Sequence, residues 1–130
     1  MSIWEMHDVE GKIRVLLSEV KYRSNPEHHF GTPFVTAYQL AIELNKRYPE
    51  IANELGYKVG GQWTNEQNSL SQYIAQQLSR NIKSGRTQDI EGSFLSNCNL
   101  DDMVFNNNGE ILTSSLTKSQ YDVSMYRLVK

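Results

Sequence analysis

The chain is short of the residues that usually announce a function. One cysteine, Cys98, occurs in 130 residues. No intramolecular disulfide can staple the fold, and a reducing compartment, the cytoplasm, is the simplest expectation. Histidine is scarce as well. His28 and His29 are adjacent, and neighbouring imidazoles rarely converge on one ion, so neither a metal site nor a cofactor is expected. Charge of one sign is missing: 13 Lys and Arg against 15 Asp and Glu leave a formal net charge of −2. Any nucleic-acid contact must therefore come from a local face on a mildly acidic body. No stretch approaches the roughly 18 apolar residues of a membrane span. The opening MSIWEMHDVEGK has no basic start followed by an apolar run, so a signal peptide is not expected.

Catalytic signatures are missing too. There is no G-x-x-x-x-G-K-[ST], no G-x-G-x-x-G and no G-x-S-x-G. Asp101 and Asp102 are adjacent, and adjacent carboxylates normally point apart. His7, His28 and His29 have no orienting partner in sequence, and Cys98 has no histidine nearby. With no catalytic set legible, an enzyme is not the expected reading.

What is present is the pattern of an ordinary globular domain. The hydrophobic fraction is 38% and the charged fraction 22%, which excludes disorder as the default. A chain of this length fits a single domain, residues 1–130, that buries roughly two thirds of its unfolded surface. No internal repeat or low-complexity tract divides it.

The first half reads as helical. Over about residues 7–22, Val9, Ile13, Leu16, Leu17 and Val20 share one face. Asp8–Lys12, Glu10–Arg14 and Glu19–Arg23 are acidic-before-basic pairs at i,i+4. A Pro- and Gly-bearing loop follows. Thr36 with Gln39 forms a capping box that opens a helix over 36–48, with Leu40, Ala41, Leu44 and Tyr48 inward. Pro49 suits the first position of a further short helix, 49–55, which Gly56 ends. The loop GYKVGGQW leads into the longest periodic stretch, Thr64–Ser84, a helix expected over about 65–84. Thr64 and Gln67 make one capping box, with Ser69 as a rival start. Leu70, Tyr73, Ile74, Leu78 and Ile82 form its inward stripe.

After Gly85 the period changes to two. Ile90, Gly92 and Phe94 share one strand face. Asn108-Gly109 between two apolar runs signals a hairpin near 103–113, and YDVSMYRLV reads as a closing strand. Helices followed by strands imply an α+β domain with a small antiparallel sheet. The order of 36–55, 64–84 and the 103–113 hairpin is similar to that of a winged helix-turn-helix. That resemblance implies a third helix able to enter the DNA major groove and a hairpin touching the backbone. A connection of eight to twelve residues before the long helix departs from the usual three or four. The first helix falls outside that order and is a candidate for dimerisation.

Two functional classes follow. In the first, the outer face of the long helix binds DNA. Gln72 and Gln76 can pair with adenine, and Arg80 with guanine or phosphate. Lys83 completes that face, Ser69 and Ser79 can donate to phosphates, and Lys58, Arg86 and the Asn-rich hairpin add flanking contacts. In the second, the chain is a protein-interaction accessory, adaptor or inhibitor domain without catalysis. Its anchors are aromatic: Tyr57 and Trp63 beside Lys58 in the glycine-bearing loop, together with Trp4 and Tyr126.

Overall fold

The computed structural model describes residues 2–21, 30–60, 69–114 and 121–129. It is an α+β fold: helices come first and antiparallel strands follow.

The expected first helix is two. Helix α1 spans Ile3–Met6, and α2 spans Val9–Ser18. Asp8 breaks the run with φ of 44° and caps α2, its carboxylate accepting from the Gly11 amide at 3.3 Å. An aspartate tolerates this left-handed conformation because its short polar side chain bonds locally. Of the expected pairs, Glu10–Arg14 forms at 2.8 Å, while Glu19 binds Arg47 of a later helix instead. Arg23 lies outside the described residues.

A two-residue strand, β1 (Val35–Thr36), leads directly into α3 (Ala37–Arg47), and sequence pattern gave no sign of it. The capping box forms: Thr36 Oγ1 accepts from the Gln39 amide at 3.1 Å, and Gln39 Oε1 accepts from the Thr36 amide at 2.7 Å. Helix α4 spans Pro49–Leu55 and ends at Gly56. Helix α5 spans Leu70–Ser84 with Ser69 as its N-cap, so it starts later than the expected 65; Thr64 and Gln67 lie outside the described residues.

Strands β2 (Ile90–Leu95) and β5 (Val123–Leu128) form a six-residue antiparallel ladder, Ile90 opposite Leu128 and Leu95 opposite Val123. Strand β1 joins the other side of β5, giving the order β1–β5–β2. The expected hairpin is β3 (Val104–Asn107) and β4 (Glu110–Thr113), a separate two-stranded sheet within the β2–β5 connection. Asn108 and Gly109 both have positive φ, 53° and 93°, as a type I′ turn demands.

Helix α3 sits between two apolar clusters. Leu40, Ala41 and Leu44 face the main core with Ile13 and Leu17 of α2, Ile51 of α4 and Leu70, Ile74 and Leu78 of α5. Tyr38 and Ile42, one helical turn apart, pack on Leu112 of β4 and Val123 of β5. Trp4 and Tyr126, named above as surface anchors, are both buried in the main cluster.

Candidate nucleic-acid interface

Leu70, Ile74 and Leu78 recur every four residues and are fully buried. That spacing fixes the rotation of α5 and turns Gln72, Gln76, Arg80 and Lys83 to solvent, where all four are exposed. No Asp or Glu occurs between Leu70 and Ser84. Tyr73 and Ile82, expected inward, are half-buried at the margins of the stripe.

The helix is held at three places. At its N-terminus, residues 58–60 run alongside 69–71. Lys58 O accepts from the Leu70 amide at 2.7 Å and Val59 O from the Ser71 amide at 2.9 Å. Ser69 Oγ accepts from the Gln72 amide at 3.2 Å, and Ser69 O from the Tyr73 amide at 2.9 Å. The amides of the first three helical residues, which a helix start leaves open, are thus engaged, and Tyr73 makes the first intrahelical bond. Gly60 makes this approach feasible: its φ is 141°, and a Cβ there would lie 2.3 Å from Ser71 Oγ. In mid-helix, the buried Tyr126 hydroxyl lies within hydrogen-bond distance of Ala75 O, at 3.2 Å, and of Ser79 Oγ, at 2.9 Å. Burial of this phenol pushes it above its ordinary range. At the C-terminus, Gly85 caps the helix, and the Thr87 amide bonds Asn81 O at 3.1 Å.

The expected site residues separate into groups. Gln72, Gln76, Arg80 and Lys83 share the outer face. Ser69 does not join them: it is buried, with its hydroxyl occupied by the Gln72 amide and Ser71 Oγ at 3.0 Å. Ser79 is drawn into the fold instead, its hydroxyl bonding the Tyr126 hydroxyl at 2.9 Å. Arg86 leaves the stripe altogether. It lines a cleft of about 280 Å³ with Glu5, Asp8 and Glu10 of the N-terminal helices. Tyr57 and Lys58 instead line a polar cleft of about 400 Å³ with Asn45, Asn53, Asn107 and Glu110, between α3, α4 and the hairpin. Trp63 lies outside the described residues.

Arg14, Arg47 and Arg127 do structural work. Arg14 binds Asp89 at 2.6 Å and Glu10 at 2.8 Å. Arg47 binds Glu19 at 2.5 Å and Glu43 at 3.1 Å. Arg127 binds Glu91 at 3.2 Å and lies 4.3 Å from the Phe34 ring centre. Among the described residues, no carboxylate pairs with Arg80 or Lys83.

The hairpin carries Glu110 and no cation. Its Phe105 stacks on Tyr38 of α3 at 5.3 Å, and Asn106 Oδ1 accepts from the Gly109 amide at 2.7 Å within the turn. Among the described residues no three His, Cys, Asp or Glu side chains gather into a metal-ligating group, and no helix is long and apolar enough to cross a membrane. His28 and His29 lie outside the described residues. Cys98 is exposed.

Alternation groups Phe94 with Ile90 and Gly92 on one strand face; Ile90 is buried, yet Phe94 is 67% exposed. With this geometry in view, the comparisons with known proteins add nothing: no family model, curated protein or solved structure matches the chain.

Proposed function

We propose that the chain is a nucleic-acid-binding or regulatory module, winged-helix-like in plan, that lays the outer face of α5 along duplex DNA within the cytoplasm. The observation that carries this reading is the stripe Gln72, Gln76, Arg80 and Lys83: exposed, free of acidic neighbours along the helix and without ion pairs among the described residues. Arg14, Arg47 and Arg127 are each neutralised by carboxylates, so an arginine left open on a helix suits an anionic partner. Glutamine pairs with adenine N6 and N7, and arginine with guanine O6 and N7, each good pair contributing about 1–3 kcal/mol of discrimination. Lys83 reaches a phosphate as a point charge. The order α3, α4, α5 and then the β3–β4 hairpin supports the winged-helix plan. The Leu70, Ser71 and Gln72 amides are engaged within the fold, so in this reading side chains carry the contact.

The test is a titration of duplex DNA at several salt concentrations. Wild type binds at low salt, and affinity falls as salt rises. Arg80→Ala and Lys83→Ala each weaken binding across sequences and reduce the salt slope by about one. Gln76→Ala relaxes base preference with the slope unchanged. Absence of wild-type binding at low salt defeats the reading.

A second reading, a protein-interaction module without catalysis, draws on the polar cleft that brings Tyr57 and Lys58 together with Asn107 and Glu110. It requires wild type to leave DNA unbound at low salt and makes that cleft the working surface.

A further inference from the structure

Strand β2 is an edge of the three-stranded sheet, and among the described residues no strand bonds to its outer side. Which backbone groups it presents there follows from one hydrogen bond. The Val129 amide donates to Asp89 O at 2.9 Å, which makes Asp89 and Val129 a hydrogen-bonded pair of the ladder. Alternation then turns Glu91, Ser93 and Leu95 toward β5 and leaves the N–H and C=O groups of Ile90, Gly92 and Phe94 pointing outward. This edge lacks the usual guards: it has no lysine, no proline and a full six-residue length. Glu91, its single charge, is held on the opposite face by Arg127 at 3.2 Å.

The same edge carries a knob and a notch on one face. Phe94, 67% exposed, is the knob. The notch is a groove of about 390 Å³ between α5 and the ladder, floored by Gly92 and flanked by Ile82, Lys83 and the Tyr126 ring. Because Gly92 has no side chain, the space above it is open; a Cβ built there would stand 3.5 Å from the Tyr126 ring and 3.7 Å from Ile82.

We propose that β2 is a self-association edge whose occupant is a second copy of this chain, paired antiparallel. A copy can bond only through the same outward residues, Ile90, Gly92 and Phe94. Of the antiparallel registers that meet this condition, one sets Phe94 of each copy directly across from Gly92 of the other, so that each ring enters the opposite notch. The two-fold axis then passes between the two Ser93 residues, the contact is isologous and closes at two copies, and the sheet becomes six-stranded. Two Phe94 rings, each 67% exposed in the single chain, go under cover together with the two paired edges, and a specific interface needs about 1,000 Å² in all. No like charges oppose each other along the paired edges: Gly92, Ser93 and Phe94 meet Phe94, Ser93 and Gly92. Both copies of α5 lie on the same side of the joined sheet. The inference stands on the edge alone and does not depend on the nucleic-acid reading.

Sedimentation equilibrium of the full chain tests it. Wild type is expected to dimerise with rising concentration, and Phe94→Ala and Gly92→Val each to weaken association at least tenfold. A Cβ at this position stands at ordinary contact distance in the folded monomer, and the valine methyls fill the notch. Folding of each variant is checked by its circular dichroism spectrum. Register is read by cross-linking in a Cys98→Ser background. Ser93→Cys places two thiols at a non-hydrogen-bonded pair, where Cα atoms lie about 4.5 Å apart, within disulfide reach. Leu95→Cys sits opposite Glu91 and has no thiol partner. Disulfide dimers from Ser93→Cys and not from Leu95→Cys are the expected result. A wild type that stays monomeric at millimolar concentration overturns the proposal. So does a Phe94→Ala variant that dimerises as well as wild type, or cross-linking from Leu95→Cys equal to that from Ser93→Cys.

Discussion

Arg14, Arg47 and Arg127 each meet a carboxylate from another element or a neighbouring strand, whereas Arg80 and Lys83 meet none among the described residues. At the residue scale this contrast separates cations that hold the fold from cations open to a partner. Charge counting cannot see it, because all five are equal in sequence. The Arg14–Asp89 pair ties α2 to the entrance of β2 and makes a pH prediction. Hydrogen bonds from Arg14 hold the Asp89 carboxyl below its ordinary range; partial burial opposes them and the Arg14 charge adds to them. A carboxyl depressed in the folded state stabilises it fully above the unfolded value, near 3.9, and that contribution is lost as pH falls through the folded value. Asp89→Asn is therefore expected to cost up to about 1 kcal/mol at neutral pH, the small figure fitting a half-exposed pair. The gap to wild type should close in acid, below about pH 4. Urea melts at neutral and acidic pH check this, and a gap that stays constant with pH refutes it.

At the element scale, both faces of α5 were legible in sequence, but only one of the two buried faces of α3 was. The four-residue repeat of Leu70, Ile74 and Leu78 assigned both faces of α5 from pattern alone. Leu78 is fully buried, so Leu78→Ala is expected to lose about 2–5 kcal/mol. An unchanged melting midpoint would contradict the assigned faces. For α3 the pattern showed one stripe, Leu40, Ala41 and Leu44, and missed the second, Tyr38 and Ile42. That second stripe has meaning only because the hairpin, some 65 residues later, folds back over it. Helix α3 therefore occupies the centre of the molecule, and α5 forms one wall. The start of α5 was misplaced for a related reason. Thr64 and Ser69 carry similar capping chemistry, and the choice of Ser69 depends on residues 58–60 running beside it.

At the scale of the whole molecule, Tyr126 joins the layers. It lies on the central strand β5, and its hydroxyl bonds Ala75 O and Ser79 of α5. Tyr126→Phe keeps the ring and removes both bonds, at about 0.5–1.5 kcal/mol each. Helix signal and aromatic signal are expected to melt together at a lower midpoint, as in one cooperative domain. Separate transitions would instead show that α5 and the sheet unfold independently.

The sequence by itself determined the α+β class, the order of the long elements, the α3 capping box, the Asn-Gly turn and the two faces of α5. These depend on interactions within a few residues or on periodicity along one element, both of which are written in order along the chain. Tertiary structure alone decided the rest. It buried Trp4, Tyr126 and Ser69, sent Arg86 to the acidic cleft beside α1 and α2, and added β1, whose two residues are strand only because β5 lies beside them. It also left Phe94 uncovered at a sheet edge. Each outcome depends on which distant segment packs where. Burial and pairing are properties of neighbours in space, and local pattern does not encode those neighbours.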